Sequence, residues 1–111
     1  MSESPAPRRT NRRLTARTAC QLTVRYQATG VWRPATAMDL SRHGCRLRLG
    51  EDLGRHATVS VSFESTSGTV TLSVLVRGKV IWSRFEGLSY QAGVQFADVP
   101  AALEQILAAV A

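Results

Sequence analysis

Across most of this chain, apolar side chains recur at every second position in short runs, and that period constrains the fold most. In the segment from Cys20 to Tyr26, Cys20, Leu22, Val24 and Tyr26 alternate with Gln21, Thr23 and Arg25. A strand with one buried and one wet face has this period. Cys45, Leu47 and Leu49 alternate with Arg46 and Arg48, and Val59, Val61 and Phe63 alternate with serines. A longer run places Val70, Leu72, Val74 and Val76 on one face and continues through Lys79 to Phe85; Tyr90 to Phe96 forms a last strand. Turn-forming residues separate the runs at Ala28–Gly30, Gly50–His56, Ser65–Gly68 and Glu86–Gly87. Two residues interrupt the pattern. Pro34 lacks a ladder donor, which assigns the run from Val31 to Leu40 an edge or a bulge. Gly78 marks a bulge or a sharp bend.

The last segment has another period. After Asp98, a candidate N-cap, and Pro100, suited to a first helical turn, Leu103, Ile106, Leu107 and Val110 fall on one stripe. The expected architecture is all-β: a small six-stranded antiparallel barrel whose open end is covered by a C-terminal amphipathic helix. A chain of 111 residues builds one modest core, and no internal repeat or second domain is visible.

Charge is distributed unevenly. Of the net +6, residues 1–17 carry +4, with arginines at 8, 9, 12, 13 and 17 against Glu3. A basic arm of this kind meets phosphate or serves as a solubilising tail. Thirteen of the fourteen basic residues are arginine, whose planar fork fits phosphate and the guanine edge. The first residues contain no apolar run, so neither a signal peptide nor a membrane anchor is expected, and the location is read as cytoplasmic. Cys20 and Cys45 lie 25 residues apart without a CxxC spacing and are expected to be reduced, buried and apolar in role.

Two polar segments carry the chemistry. Arg12-Arg13-Leu14-Thr15-Ala16-Arg17 contains an Arg-x-x-x-Arg, Arg13 with Arg17; Asp39-Leu40-Ser41-Arg42-His43-Gly44 contains an Asp-x-Ser-x-x-Gly. Together they suggest a site for a small ligand bearing both phosphate and guanine. Forked arginines donate to phosphate oxygens or to guanine O6 and N7. Asp39, acceptor-only, matches the N1–H and exocyclic N–H groups on the other edge. Ser41 offers a hydroxyl. Gly44 permits positive φ and close backbone approach.

These segments, with Cys20–Tyr26, Gly78–Arg84 and Tyr90–Phe96 in this order, resemble the PilZ domain, a family of bacterial receptors for cyclic di-GMP. The resemblance runs from about Arg12 to Val99. It implies a flexible tail over residues 1–11 and a PilZ domain over 12–111, divided into a ligand-binding arm (12–19), a barrel (20–98) and a helix (99–111). It implies that Arg13, Arg17, Asp39, Ser41 and Gly44 hold cyclic di-GMP, with no cofactor and no catalysis. Arg12, where an arginine favours a stacked ligand pair in similar domains, is a further candidate; a solvated arm residue is the other reading. The same resemblance puts an aromatic such as Trp82 near a guanine, while core or rim packing on a strand is the favoured reading of it. The implied partner is an unidentified effector protein, and the chain is expected to be a monomer or weak homodimer.

Magnitudes require both segments. Two arginines making charge-assisted hydrogen bonds contribute about 3–6 kcal/mol. Ordering each arm residue costs about 1–2 kcal/mol, and a micromolar ligand needs roughly −8 kcal/mol. The arm alone is too weak.

Competing readings are less well supported. Asp39, Ser41 and His43 supply triad residue types, but side chains two apart on an extended segment lie about 7 Å from one another, beyond the roughly 3 Å a nucleophile and base require. His43, Cys45, His56 and Cys20 do not have zinc-module spacing. A nucleic-acid-binding barrel would cluster its remaining basic residues, whereas Arg25, Arg33, Arg46, Arg48, Arg55, Arg77 and Arg84 are scattered along the sequence. A PilZ-like interaction module without nucleotide is the remaining alternative.

Overall fold

The structure is a computed structural model, and it describes residues 18–110. The tail and most of the arm, residues 1–17, lie outside the described residues. Six antiparallel strands are present: β1 (Thr18–Gln27), β2 (Arg33–Leu40), β3 (Gly44–Leu49), β4 (Thr58–Ser67), β5 (Val70–Glu86) and β6 (Ser89–Phe96), followed by helix α1 (Leu103–Val110). They close into a barrel of order β1-β2-β3-β6-β5-β4. The six-stranded barrel and its C-terminal helix agree with the expectation from sequence.

The period-two residues fill the interior. Val24, Leu47, Val61, Phe63, Val76 and Val94 are all buried, each at 2% exposure or less, and Phe63 and Phe96 meet edge to face at 6.1 Å between ring centres. Gly68 and Gly87, with φ of +62° and +72°, supply the left-handed backbone of the two tight connections flanking β5. The 17-residue β5 pairs with β4 along its first half and with β6 along its second.

Gly78 is not where the long strand bulges. Its pairing with both neighbours is regular, and the register shifts instead between Val80 and Trp82. Gly78 is small for another reason: a Cβ there would lie 2.6 Å from the Gln95 carbonyl oxygen. Pro34 pairs with Arg25 of β1, while pairing of β2 with β3 starts only at Thr36. The missing donor therefore falls where β2 overhangs its other neighbour.

The closing seam is short. β1 and β4 pair only over Arg25–Gln27 with Ser60–Ser62, and α1 packs against these two strands. Leu103 and Ile106 are fully buried there, with Leu107 and Val110 partly so. The helix begins three residues after Pro100, later than the start at 99 expected from sequence. Pro100 and Ala101 instead accept i→i+3 bonds from Leu103 and Glu104 (3.0 and 3.1 Å), so a tight turn precedes the helix.

Candidate functional site

The turn between β2 and β3 is built from its own side chains. The Ser41 amide donates to the Gly44 carbonyl at 2.9 Å, and the Ser41 hydroxyl accepts from the amides of His43 (3.1 Å) and Gly44 (3.3 Å). Ser41 is 1% exposed, so its hydroxyl is directed into the turn and not toward solvent. The local backbone amides use this hydroxyl, which gives it a role in shaping the turn. Arg42 extends outward and pairs with Glu104 of α1 at 2.6 Å. The His43 carbonyl accepts from the Phe96 amide at 2.8 Å, tying the turn to β6.

Gly44 also differs from expectation. Its φ is not positive. A Cβ at this position would lie 2.2 Å from the Val94 carbonyl oxygen, and the residue is buried. Glycine is needed here for the close approach of the β6 backbone, not for a left-handed turn.

Asp39 reaches the outer surface through a bulge. Ala35 and Ala37 face inward, and unbroken alternation would send Asp39 inward as well. The register shifts between Ala37 and Asp39, so that Asp39 opposes Arg46 while Leu40 opposes Cys45. Leu40 and Cys45 are fully buried, which leaves Asp39 and Arg46 on the outside. The extra residue re-aims a side chain, as bulges do. The Arg46 Nε lies 3.3 Å from Asp39 Oδ2, with side-chain exposures of 38% and 16%. This is ion-pair range without hydrogen-bond alignment, and the Nε is buried with no hydrogen-bond partner among the described residues.

A second bulge performs the same operation on β5. After the shift at Ile81, Trp82 opposes Gly93 on the outer face. A Cβ on Gly93 would sit 2.2 Å from the indole Nε1, so only glycine lets the ring lie down against β6. The Arg84 guanidinium sits over the indole, 5.0 Å from its centre. Trp82 is half-buried, a surface plate and not a core residue.

The registers align these groups. Asp39, Arg46, Gly93 and Trp82 occupy one row across β2, β3, β6 and β5; Thr36, Arg48, Gln91 and Arg84 occupy the next. With strands about 4.8 Å apart, the first row spans roughly 14 Å. The Gln91 amide donates to Glu86 at 2.5 Å, and its Oε1 is buried without a hydrogen-bond partner among the described residues. Arg46, Arg48 and Arg84, scattered in the sequence, thus share one face.

Arg12, Arg13 and Arg17 lie outside the described residues. The chain that follows them is placed: Thr18 opposes Leu40 and Ala19 opposes Asp39. The Cys20 thiol donates to the Ala37 carbonyl at 3.3 Å, and its pKa is pushed up by burial and by the charge of Asp39. Cys45 is buried and Cys20 partly so. Among the described residues, no group of three or more His, Cys, Asp or Glu side chains converges to hold a metal ion. No helix among them is long and apolar enough to cross a membrane.

At the far end of β2 and β3, the buried Tyr26 hydroxyl donates to Glu51 at 2.5 Å, and Arg33 approaches the same carboxylate oxygen at 3.4 Å. Burial and the Glu51 contact push the phenol well above its ordinary value. Across the loop, Asp52 accepts from the Ser83 hydroxyl (2.7 Å) and the Gly54 amide (3.0 Å), which hold its carboxyl below the usual range.

Comparison with solved structures places this architecture among proteins of the same fold. The Bacillus subtilis inhibitor of motility MotI/DgrA superposes with a TM-score of 0.72 at 16% identity, over 90% of this chain and 49% of that one. The Borreliella burgdorferi PlzA protein, solved in complex with c-di-GMP, gives 0.63 at 15% identity, over 88% and 40%. A tetrameric PilZ domain protein from Xanthomonas campestris gives 0.52 at 21% identity, over 68% and 41%. The chain spans less than half the length of each. A search of curated proteins gives no match. The PilZ domain model matches residues 7–111, nearly the whole chain. The chain therefore belongs to the PilZ domain family.

Proposed function

We propose that this PilZ domain is a non-catalytic receptor for cyclic di-GMP, with Arg13 and Arg17 closing over a ligand seated beside Asp39. The observation that carries the reading is a register. β1 starts opposite the end of β2, with Ala19 facing Asp39, so the Arg-x-x-x-Arg segment joins the barrel directly beside the Asp-x-Ser-x-x-Gly turn. Thr18, the residue that follows the first motif, stands opposite Leu40 of the second, which supports a shared site.

The ligand's chemistry fits the two halves. Asp39, partly exposed, accepts from the guanine N1–H and amino groups, while the arm supplies forked donors to phosphate and to O6 and N7. Ser41 and Gly44 act through the turn they shape. Arg12 and Trp82 extend the site, the first toward a second stacked ligand and the second as a plate for a base. PlzA, which shares this fold over 40% of its length, was solved in complex with c-di-GMP, and this supports the reading. Ordering of the arm alters the surface shown to a partner, which is how binding is passed to a separate effector protein.

The test is calorimetry with cyclic di-GMP on the wild type and on Arg13→Ala, Arg17→Ala and Asp39→Ala. Each variant is expected to lose tight binding while its far-UV circular dichroism is unchanged. Wild-type affinity retained by Asp39→Ala would overturn the site assignment.

A further inference from the structure

We propose that Arg46 is the base-selecting partner of Asp39, the two forming a donor–acceptor edge that takes guanine and rejects adenine; this rests on the cyclic di-GMP reading and names its selectivity determinant. The register sets Arg46 directly opposite Asp39 on the outer face. The Arg46 Nε is 3.3 Å from Asp39 Oδ2, too poorly aligned for a hydrogen bond, and is buried with no acceptor. A buried donor in that condition is uncommon and calls for an explanation. The Arg46 side chain as a whole is 38% exposed, so part of it beyond the buried Nε is reachable from solvent.

Guanine fills this arrangement. Its Watson–Crick edge presents O6, an acceptor, next to N1–H and the 2-amino group, both donors. A carboxylate takes the two donors while an adjacent guanidinium donates to O6. Adenine presents the reverse order. Its 6-amino group would face the guanidinium and its N1 lone pair the carboxylate, setting donor against donor and acceptor against acceptor. A site built on polar pairing discriminates in this way, because the wrong ligand sets mismatched groups against it. Arg46 is distinct from the Arg-x-x-x-Arg pair in one respect: it is fixed on β3, so its donors are positioned before a ligand arrives.

The experiment is titration of wild type, Arg46→Ala and Arg46→Lys with cyclic di-GMP and cyclic di-AMP, with thermal melts to establish folding. Wild type is expected to prefer the guanine ligand, and Arg46→Ala to lose about tenfold or more of that preference, mainly through weaker cyclic di-GMP binding. Arg46→Lys, which keeps one donor near O6 and the charge beside Asp39, is expected to fall between them. A role confined to the fold would shift melting without moving the ratio. Tight, selective wild-type binding with an unchanged ratio in both folded variants overturns the inference alone. Absence of wild-type binding to either ligand overturns it together with the receptor reading.

Discussion

At Gly44 and Gly93 one added methyl group meets two very different obstacles. At Gly44 the obstacle is the Val94 carbonyl, part of a fixed ladder, whereas at Gly93 it is the Trp82 indole. Gly44→Ala must therefore move backbone and is expected to cost about 1–3 kcal/mol or more, measured as a lowered denaturation midpoint. Gly93→Ala is expected to displace the indole and shift its fluorescence, with a smaller loss of stability. A milder effect at Gly44 than at Gly93 would contradict this assignment. Tyr26 gives a pH dependence. Its folded-state pKa is raised, by burial first and then by Glu51, while the unfolded chain releases the same proton near pH 10. The contribution of the protonated phenol is therefore fully present below about pH 10 and is lost as pH rises above it. Tyr26→Phe is expected to cost about 1 kcal/mol at neutral pH and to flatten the alkaline decline seen in urea titrations at stepped pH.

The elements were legible in the sequence to different degrees. Period-two alternation located the strands, and the stripe of Leu103, Ile106, Leu107 and Val110 located the helix, because each pattern reports which face is buried. The bulges at Met38 and Ile81 left no such trace. Each is a one-residue slip in register, which depends on the neighbouring strand and not on local composition. Hence the outward placement of Asp39, the pairing of Trp82 with Gly93, and the shared face of Arg46, Arg48 and Arg84 became visible only with the barrel closed. Gly78 was conspicuous in sequence as a break, yet its smallness serves strand proximity. The motif residues themselves were readable, but the inward hydroxyl of Ser41 was not, since an Asp-x-Ser segment does not say whether the hydroxyl serves ligand or backbone. At this scale α1 makes a clear test. Leu103→Ala or Ile106→Ala is expected to cost about 2–5 kcal/mol in chemical denaturation, as both side chains are fully buried. Glu104→Gln, which removes a half-exposed ion pair with Arg42, is expected to cost less than about 1 kcal/mol. Equal losses from the two classes would mean that α1 is held by charge and not by burial.

Viewed as a whole molecule, the chain joins a strongly basic leading segment to a closed barrel whose outer face carries a carboxylate, an aromatic plate and three arginines in adjacent rows. The barrel supplies fixed geometry, and the leading segment supplies charge. If the proposed site is divided in this way, the leading segment alone is expected to bind weakly, because the ordering of its residues offsets most of what two arginines contribute. Such a site also distinguishes a specific ligand from a polyanion. Binding through charge alone weakens steeply with salt and is indifferent to the base, whereas the proposed pairing with Asp39 would depend on the guanine edge. The most direct measurement is isothermal titration of the wild-type chain with cyclic di-GMP, GTP and cyclic di-AMP at about physiological ionic strength. Saturable binding of cyclic di-GMP at micromolar affinity or tighter, with the other two at least about tenfold weaker, is the predicted result. No heat from cyclic di-GMP with folded protein, or equal affinity for all three, would contradict the account.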